Sequence, residues 1–131
     1  MVVLLVDSDD SKPNERKALL EKALKRNGLE GAVGVAVKEF ETWLIADTKA
    51  VSTVLGGSNN TSSNPESLPC RKAKQLLAGW SKEIETPHRS PVDIRKELAS
   101  TMDLESVSNL CPSFKAFRQA LLQMQAQDIS L

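Results

Sequence analysis

The chain opens on an unbroken apolar run, Val2-Val3-Leu4-Leu5-Val6, which stops at Asp7. Apolar on both faces, it predicts a parallel strand covered on each side by helices. Residues 7–14 (DSDDSKPN) carry turn chemistry, with Pro13 suited to the first turn of a helix. Ala18, Leu19, Leu20, Ala23 and Leu24 then form an apolar stripe through to Asn27, and Gly28 stops it. Glu21 and Lys25 add a favourable i,i+4 pair. Ala32 to Val37 (AVGVAV) is a second buried strand, so the first third of the chain predicts one right-handed βαβ unit.

From Glu39 to Asp47 (EFETWLIAD) the pattern turns helical, with Phe40, Trp43, Leu44 and Asp47 near one face and Glu41 about a hundred degrees round from Phe40. A short helix follows from Thr48 to Leu55, capped by Asp47 or Thr48. Residues 56–67 (GGSNNTSSNPES) are polar and low in complexity, and predict a flexible loop without packing residues. A helix over Pro69 to Trp80 carries Arg71, Lys72 and Lys74, and residues 81–90 form a second loop. Ser90-Pro91-Val92-Asp93 reads as a capping box for a helix with Ile94, Leu98 and Met102 on its apolar face. Asp103 caps a short helix through Leu104, Val107 and Leu110. Pro112 opens the last one, whose Phe114, Phe117, Leu121 and Met124 recur at spacings of three and four.

The expected architecture is α/β: a small parallel sheet with flanking helices and a helical C-terminal half. It forms one domain over 1–131, divided into an acidic βαβα core (1–55), the loop and a helical part (68–131). Two strands are few for so many helices, since at least three are normally needed. A strand hidden in a loop segment, or one supplied by another chain, would resolve this. Such a chain would be expected to form homo-oligomers through the exposed edge of its first strand.

Composition narrows the functional classes. With 17 basic and 17 acidic residues the net charge is zero, so nucleic-acid binding would need a local patch. No apolar run approaches the ~18 residues of a membrane span, and a cytoplasmic location is expected. Two cysteines, Cys70 and Cys111, predict free thiols rather than a disulfide or metal framework. The single histidine, His88, cannot form a histidine-based metal cluster and reads as a solvated loop residue. No GxxxxGK or GxGxxG surrounds Gly56-Gly57.

The chemistry concentrates beyond the carboxyl ends of the two strands, where open parallel sheets bind ligands. Asp7, Asp9 and Asp10 end the first strand; Glu39, Glu41 and Asp47 follow the second. With strands about 4.8 Å apart, these carboxylates converge on one rim. Oxygen-only ligands at a partly open site suit Mg²⁺ or Mn²⁺. Asp7, Asp9 and Glu41 are the expected metal ligands, with Asp10 and Asp47 as secondary acidic residues. Turn and cap roles also suit Asp9, Asp10 and Asp47, and Glu39 reads as part of a solvated face. Arg71, Lys72, Lys74 and Arg89 are candidate phosphate-binding groups, although such charges more often form a helix's solvated side.

VVLLVDSDD, a helix, a strand and then EFETWLIAD resemble the TOPRIM-like family of bacterial domains of unknown function related to the RloB and OLD-type proteins. That family's hydrophobic strand ends in Asp-x-Asp, matched by Asp7-Ser8-Asp9. Its Glu-x-Trp-x-x-x-Asp segment is matched by Glu41-Thr42-Trp43 through Asp47. The ending SNLCPSFKAFRQALLQM is similar to the family's C-terminal helix, so the resemblance covers most of the chain. It implies an acidic cluster holding Mg²⁺ for phosphodiester chemistry, in a nuclease-like, nucleic-acid-processing or genome-defence setting, with nucleic acid and a partner ATPase as implied partners. The TOPRIM pattern begins with a strand ending in glutamate, and this chain starts at the Asp-x-Asp strand, so independent nuclease activity is not expected of it. Two other readings stand beside this one. The first is a non-catalytic interaction domain with a structural acidic rim. The second is a phospho-receiver-like domain, which lacks here a third strand ending in Asp and a late Lys-Pro.

Overall fold

The computed structural model describes residues 1–56, 63–84 and 89–129. Two strands, β1 (Val2–Asp7) and β2 (Gly31–Ala36), pair in parallel, in register from Val2 opposite Gly31 to Asp7 opposite Ala36. Helix α1 (Pro13–Arg26) makes the crossover between them. The rest is helical: α2 (Glu41–Leu44), α3 (Thr48–Leu55), α4 (Lys72–Lys82), α5 (Pro91–Thr101), α6 (Leu104–Leu110) and α7 (Pro112–Ile129), with a 3₁₀ turn at Pro65–Ser67. The fold is therefore α/β with a small parallel sheet and a largely helical C-terminal half. Among the described residues the sheet has two strands, and no helix is long and apolar enough to cross a membrane.

The sheet gains its burial from helices instead of further strands. Successive β side chains alternate between faces. On one face Val33 and Val35 meet Leu20 and Leu24 of α1, with Val2, Leu4 and Val6 alongside. On the other, Gly34 lets α7 approach so closely that a Cβ there would lie 2.5 Å from the Phe117 ring. Ala36, Trp43, Val107, Cys111 and Phe114 continue that second layer. A separate helical core joins α2 through α5, with Leu44, Ile45, Val51, Leu77, Ile94 and Leu98 at its centre.

Several local expectations hold. Ser90 and Asp93 form the capping box of α5, and Asp103 caps α6 through Ser106. Both carboxyls sit below the ordinary carboxylate range: Asp93 because the Ser90 main chain and hydroxyl donate to it, Asp103 because the Ser106 hydroxyl and then main chain do. A lowered native pKa means that these caps stabilise at neutral pH and are lost as acid protonates them. Both cysteines are free thiols, and burial, then Glu66, pushes Cys111 up to about 12.

Three expectations are corrected. The helix predicted over residues 39–47 is only Glu41–Leu44, because Asp47 adopts the extended backbone of a cap and starts α3. Helix α4 begins at Lys72, three residues later than predicted, because Arg71 is left-handed (φ 69°). The polar stretch 56–67 does contain packing residues: Pro65 is fully buried, and Glu66 accepts from the Ser113 main chain at 3.3 Å and from its hydroxyl, capping α7. The centre of that stretch, residues 57–62, lies outside the described residues, as does His88.

Candidate functional site

Parallel pairing brings the carboxyl ends of β1 and β2 to one rim, and a mesh of main-chain bonds fixes the turns beyond them. Ser8 donates from its main chain to Ala36 O (3.0 Å), and Asp9 to Lys38 O (2.8 Å). The Lys38 main chain donates to the buried Ser8 hydroxyl at 2.6 Å. The Lys38 ammonium reaches across to the carbonyls of Glu66 and Leu68, pinning the entry to α4. Asp9 (φ 49°), Lys38 (φ 62°) and Arg71 (φ 69°) are the non-glycine residues with positive φ among those described, and all three border this rim. A left-handed backbone costs an L-residue roughly 1–2 kcal/mol, so the surrounding bonds hold the rim in a shape the local sequence does not favour.

The carboxylates expected to converge divide into two groups. Asp7 accepts from the Phe40 main chain at 2.8 Å and so fastens the β1 end to the start of α2. Asp47 accepts from Lys49 and Ala50 through Oδ1 and from Asp103 through Oδ2. Glu39, expected on a solvated face, is only 2% exposed. Its Oε1 accepts from the Lys74 main chain at 3.2 Å, in the first turn of α4, where Arg71 supplies no side-chain cap. Glu41 is buried, with Oε1 3.7 Å from Arg95 and Oε2 without a hydrogen-bond partner.

Asp9 and Asp10 remain exposed, on one side of an open cleft of about 600 Å³. Cys70, Arg71, Lys74 and Gln75 line the other side. Desolvation, then the charges of Asp10, Glu39 and Asp9, raises the Cys70 thiol, which disfavours its nucleophilic form. Lys72 is exposed on α4 and is not part of the cleft lining. Arg89 donates to Val54 O at 2.7 Å and pairs with Glu97, fastening the end of α3 to α5.

The expected ligands Asp7, Asp9 and Glu41 are thus not brought together; among the described residues no three His, Cys, Asp or Glu side chains could hold one metal ion. Mg²⁺, however, is commonly held by one or two carboxylates, with water and phosphate oxygens completing the shell. Asp9 and Asp10 facing Arg71 and Lys74 fit that donor set: two carboxylates for a cation, two cations for a phosphate. Ser8, Lys38 and Glu66 also build the rim, and no motif of the sequence points to them. Their partners lie 28 to 47 residues away, so nothing local marks them.

The model of a family described as a domain of unknown function (DUF4276) matches residues 1–122. No curated protein and no solved structure matches the chain.

Proposed function

The chain belongs to the DUF4276 family, and from that premise we propose that it is a TOPRIM-like domain binding a divalent cation and a phosphate together, in a nucleic-acid-processing role. The mixed-charge cleft at the carboxyl rim supports this reading most directly. Asp9 and Asp10 would hold Mg²⁺ or Mn²⁺; Arg71 and Lys74 would take the phosphate. A bound ion there supplies polarisation of a phosphoryl oxygen. Asp7, Glu39 and Asp47 already accept main-chain hydrogen bonds. The cleft therefore suits a single shared ion better than a two-metal centre.

Titration calorimetry with Mn²⁺ and a short single-stranded oligonucleotide tests the proposal. Mn²⁺ alone is expected to bind weakly, and the oligonucleotide to tighten it by about tenfold or more, as a shared coordination shell requires. Asp9→Asn with Asp10→Asn should remove the ion-dependent part, and Arg71→Ala with Lys74→Ala the oligonucleotide-dependent part. Coupled binding that survives both pairs of substitutions would defeat the reading.

The outer edge of β1 supports self-association as well. Val3 is 49% and Leu5 40% exposed, and Val2–Val6 contains no Lys, Pro or bulge to discourage pairing. Antiparallel pairing of two β1 strands centred on Leu4 would set Val3 of one copy against Leu5 of the other and give a four-stranded sheet. Light scattering should report a dimer at micromolar concentration, and Val3→Lys with Leu5→Lys a monomer. A wild-type monomer throughout that range would count against the pairing.

A further inference from the structure

Strand β2 has a second edge, and it is enclosed. Val2 donates to Glu30 O (2.9 Å) and Ser8 to Ala36 O (3.0 Å), which fixes the parallel ladder between these points. Ala32, Gly34 and Ala36 therefore turn their N–H and C=O groups toward β1, and Val33 and Val35 turn theirs the opposite way. Val33 is 4% and Val35 6% exposed, yet among the described residues no hydrogen bond reaches the outward main-chain groups of either. Buried main-chain groups are almost always paired, and an unpaired one costs about 1–3 kcal/mol.

These groups border a cavity of about 340 Å³ between the first turns of α1 and α7. Its lining takes residues of both β2 faces, Val33 and Val35 on one and Gly34 on the other, so it runs along the strand edge rather than over a face. Pro13, Pro112, Ala116 and Phe117 supply apolar walls. The charged lining groups, Lys17 and Glu66, are of opposite sign, and both have partners: Lys17 lies 3.8 Å from Glu21, and Glu66 caps α7.

We infer that this slot receives an extended, uncharged peptide segment of a partner protein, which adds to β2 as a third strand. Val33 and Val35 present main-chain donors and acceptors about 6.6 Å apart along the edge, the two-residue repeat of a strand. An extended peptide supplies the complementary groups at that repeat, which is strand addition to a sheet edge. The apolar walls and the balanced Lys17 and Glu66 charges suit small or β-branched side chains rather than charged ones. This site is separate from the Asp9–Lys74 cleft and from the open β1 edge, so it stands or falls independently of both.

Amide hydrogen exchange and NMR titration of the full chain test it, with a short capped peptide of alternating valine and threonine as the probe. In the protein alone, the Val33 and Val35 amides should exchange at least about tenfold faster than those of Ala32, Gly34 and Ala36, despite equal burial. The probe should slow Val33 and Val35 and shift Ala116 and Phe117, and a lysine-substituted probe should not. Ala116→Trp, at an exposed position on the slot wall, should abolish the effect, with Asn14→Trp on the facing helix as the second blocking variant. Equal protection of all five amides in the protein alone would mean that the edge is already paired, and overturn the inference. Protection that rises with protein concentration would assign the slot to a second copy and overturn it equally. So would a probe that shifts neither Ala116 nor Phe117, or that shifts wild type and both blocked variants alike.

Discussion

Trp43→Ala is expected to lower the unfolding free energy by about 4 kcal/mol, as deletion of a buried aromatic ring costs ~3–5 kcal/mol. Trp43 is 2% exposed and joins three parts of the fold. Its ring meets Phe114 edge-on at 5.2 Å, stacks on Phe117 at 6.0 Å and meets Phe40 edge-on at 6.0 Å. Its indole Nε1 donates to the Ser113 hydroxyl at 3.0 Å, which the Glu66 cap also holds. The substitution therefore empties the layer between β2 and α7 and loosens the α7 entry together. Domains of this size are stable by only about 5–15 kcal/mol, so a large fraction of the total is at stake. Trp43→Phe keeps most of the apolar volume and should lose about half as much, chiefly from the missing N–H and the smaller ring. Urea denaturation of the three proteins measures this directly. A loss below ~1 kcal/mol for Trp43→Ala would mean that the aromatic layer collapses onto the gap without cost.

The contrast between what was legible in the sequence and what was not follows the range of the interactions. Strand β1, helix α1 and the Ser90–Asp93 capping box were readable because short segments determine them: an apolar run, an apolar stripe, and a cap with its partner three residues on. The start of α4 is not legible in the sequence, because Arg71 is left-handed and the bonds holding its neighbourhood come from Lys38 and Glu39, more than 25 residues earlier. Glu39 illustrates the limit best. Its type and its place beyond a strand suggest solvent, but the uncapped first turn of α4 draws it inside, and only the tertiary fold brings the two together. The candidate site was half visible in the same sense. Asp9, Asp10, Arg71 and Lys74 were each identifiable by type and position, but that they face one another across one cleft depends on the packing of α4 against the rim. Asp7 and Glu41 fit the same acidic pattern, and the structure turns one to Phe40 and the other toward Arg95.

Asp47 provides the sharpest separation between the structural carboxylates and those proposed here to hold the cation. Both of its oxygens are engaged: Oδ1 accepts from Lys49 at 3.0 Å and Ala50 at 3.3 Å, and Oδ2 from Asp103 at 2.8 Å. One side chain thus caps α3 and holds the residue that itself caps α6, 56 residues later. Removing a cap costs roughly 1 kcal/mol, and leaving a part-buried N–H without its acceptor adds about 1–3 kcal/mol. Asp47→Ala should therefore lose about 3 kcal/mol. Asp47→Asn should recover only part of this, because an amide has a single acceptor oxygen and would turn an N–H toward either α3 or Asp103. If the Asp9–Asp10 cleft binds the cation and phosphate, Asp47→Asn, still folded at low temperature, should bind Mn²⁺ and oligonucleotide as the wild type does. Asp9→Asn with Asp10→Asn should show the converse, near-native stability without coupled binding, since both side chains are exposed. Loss of coupled binding in folded Asp47→Asn would move the cation site to Asp47 and away from the cleft.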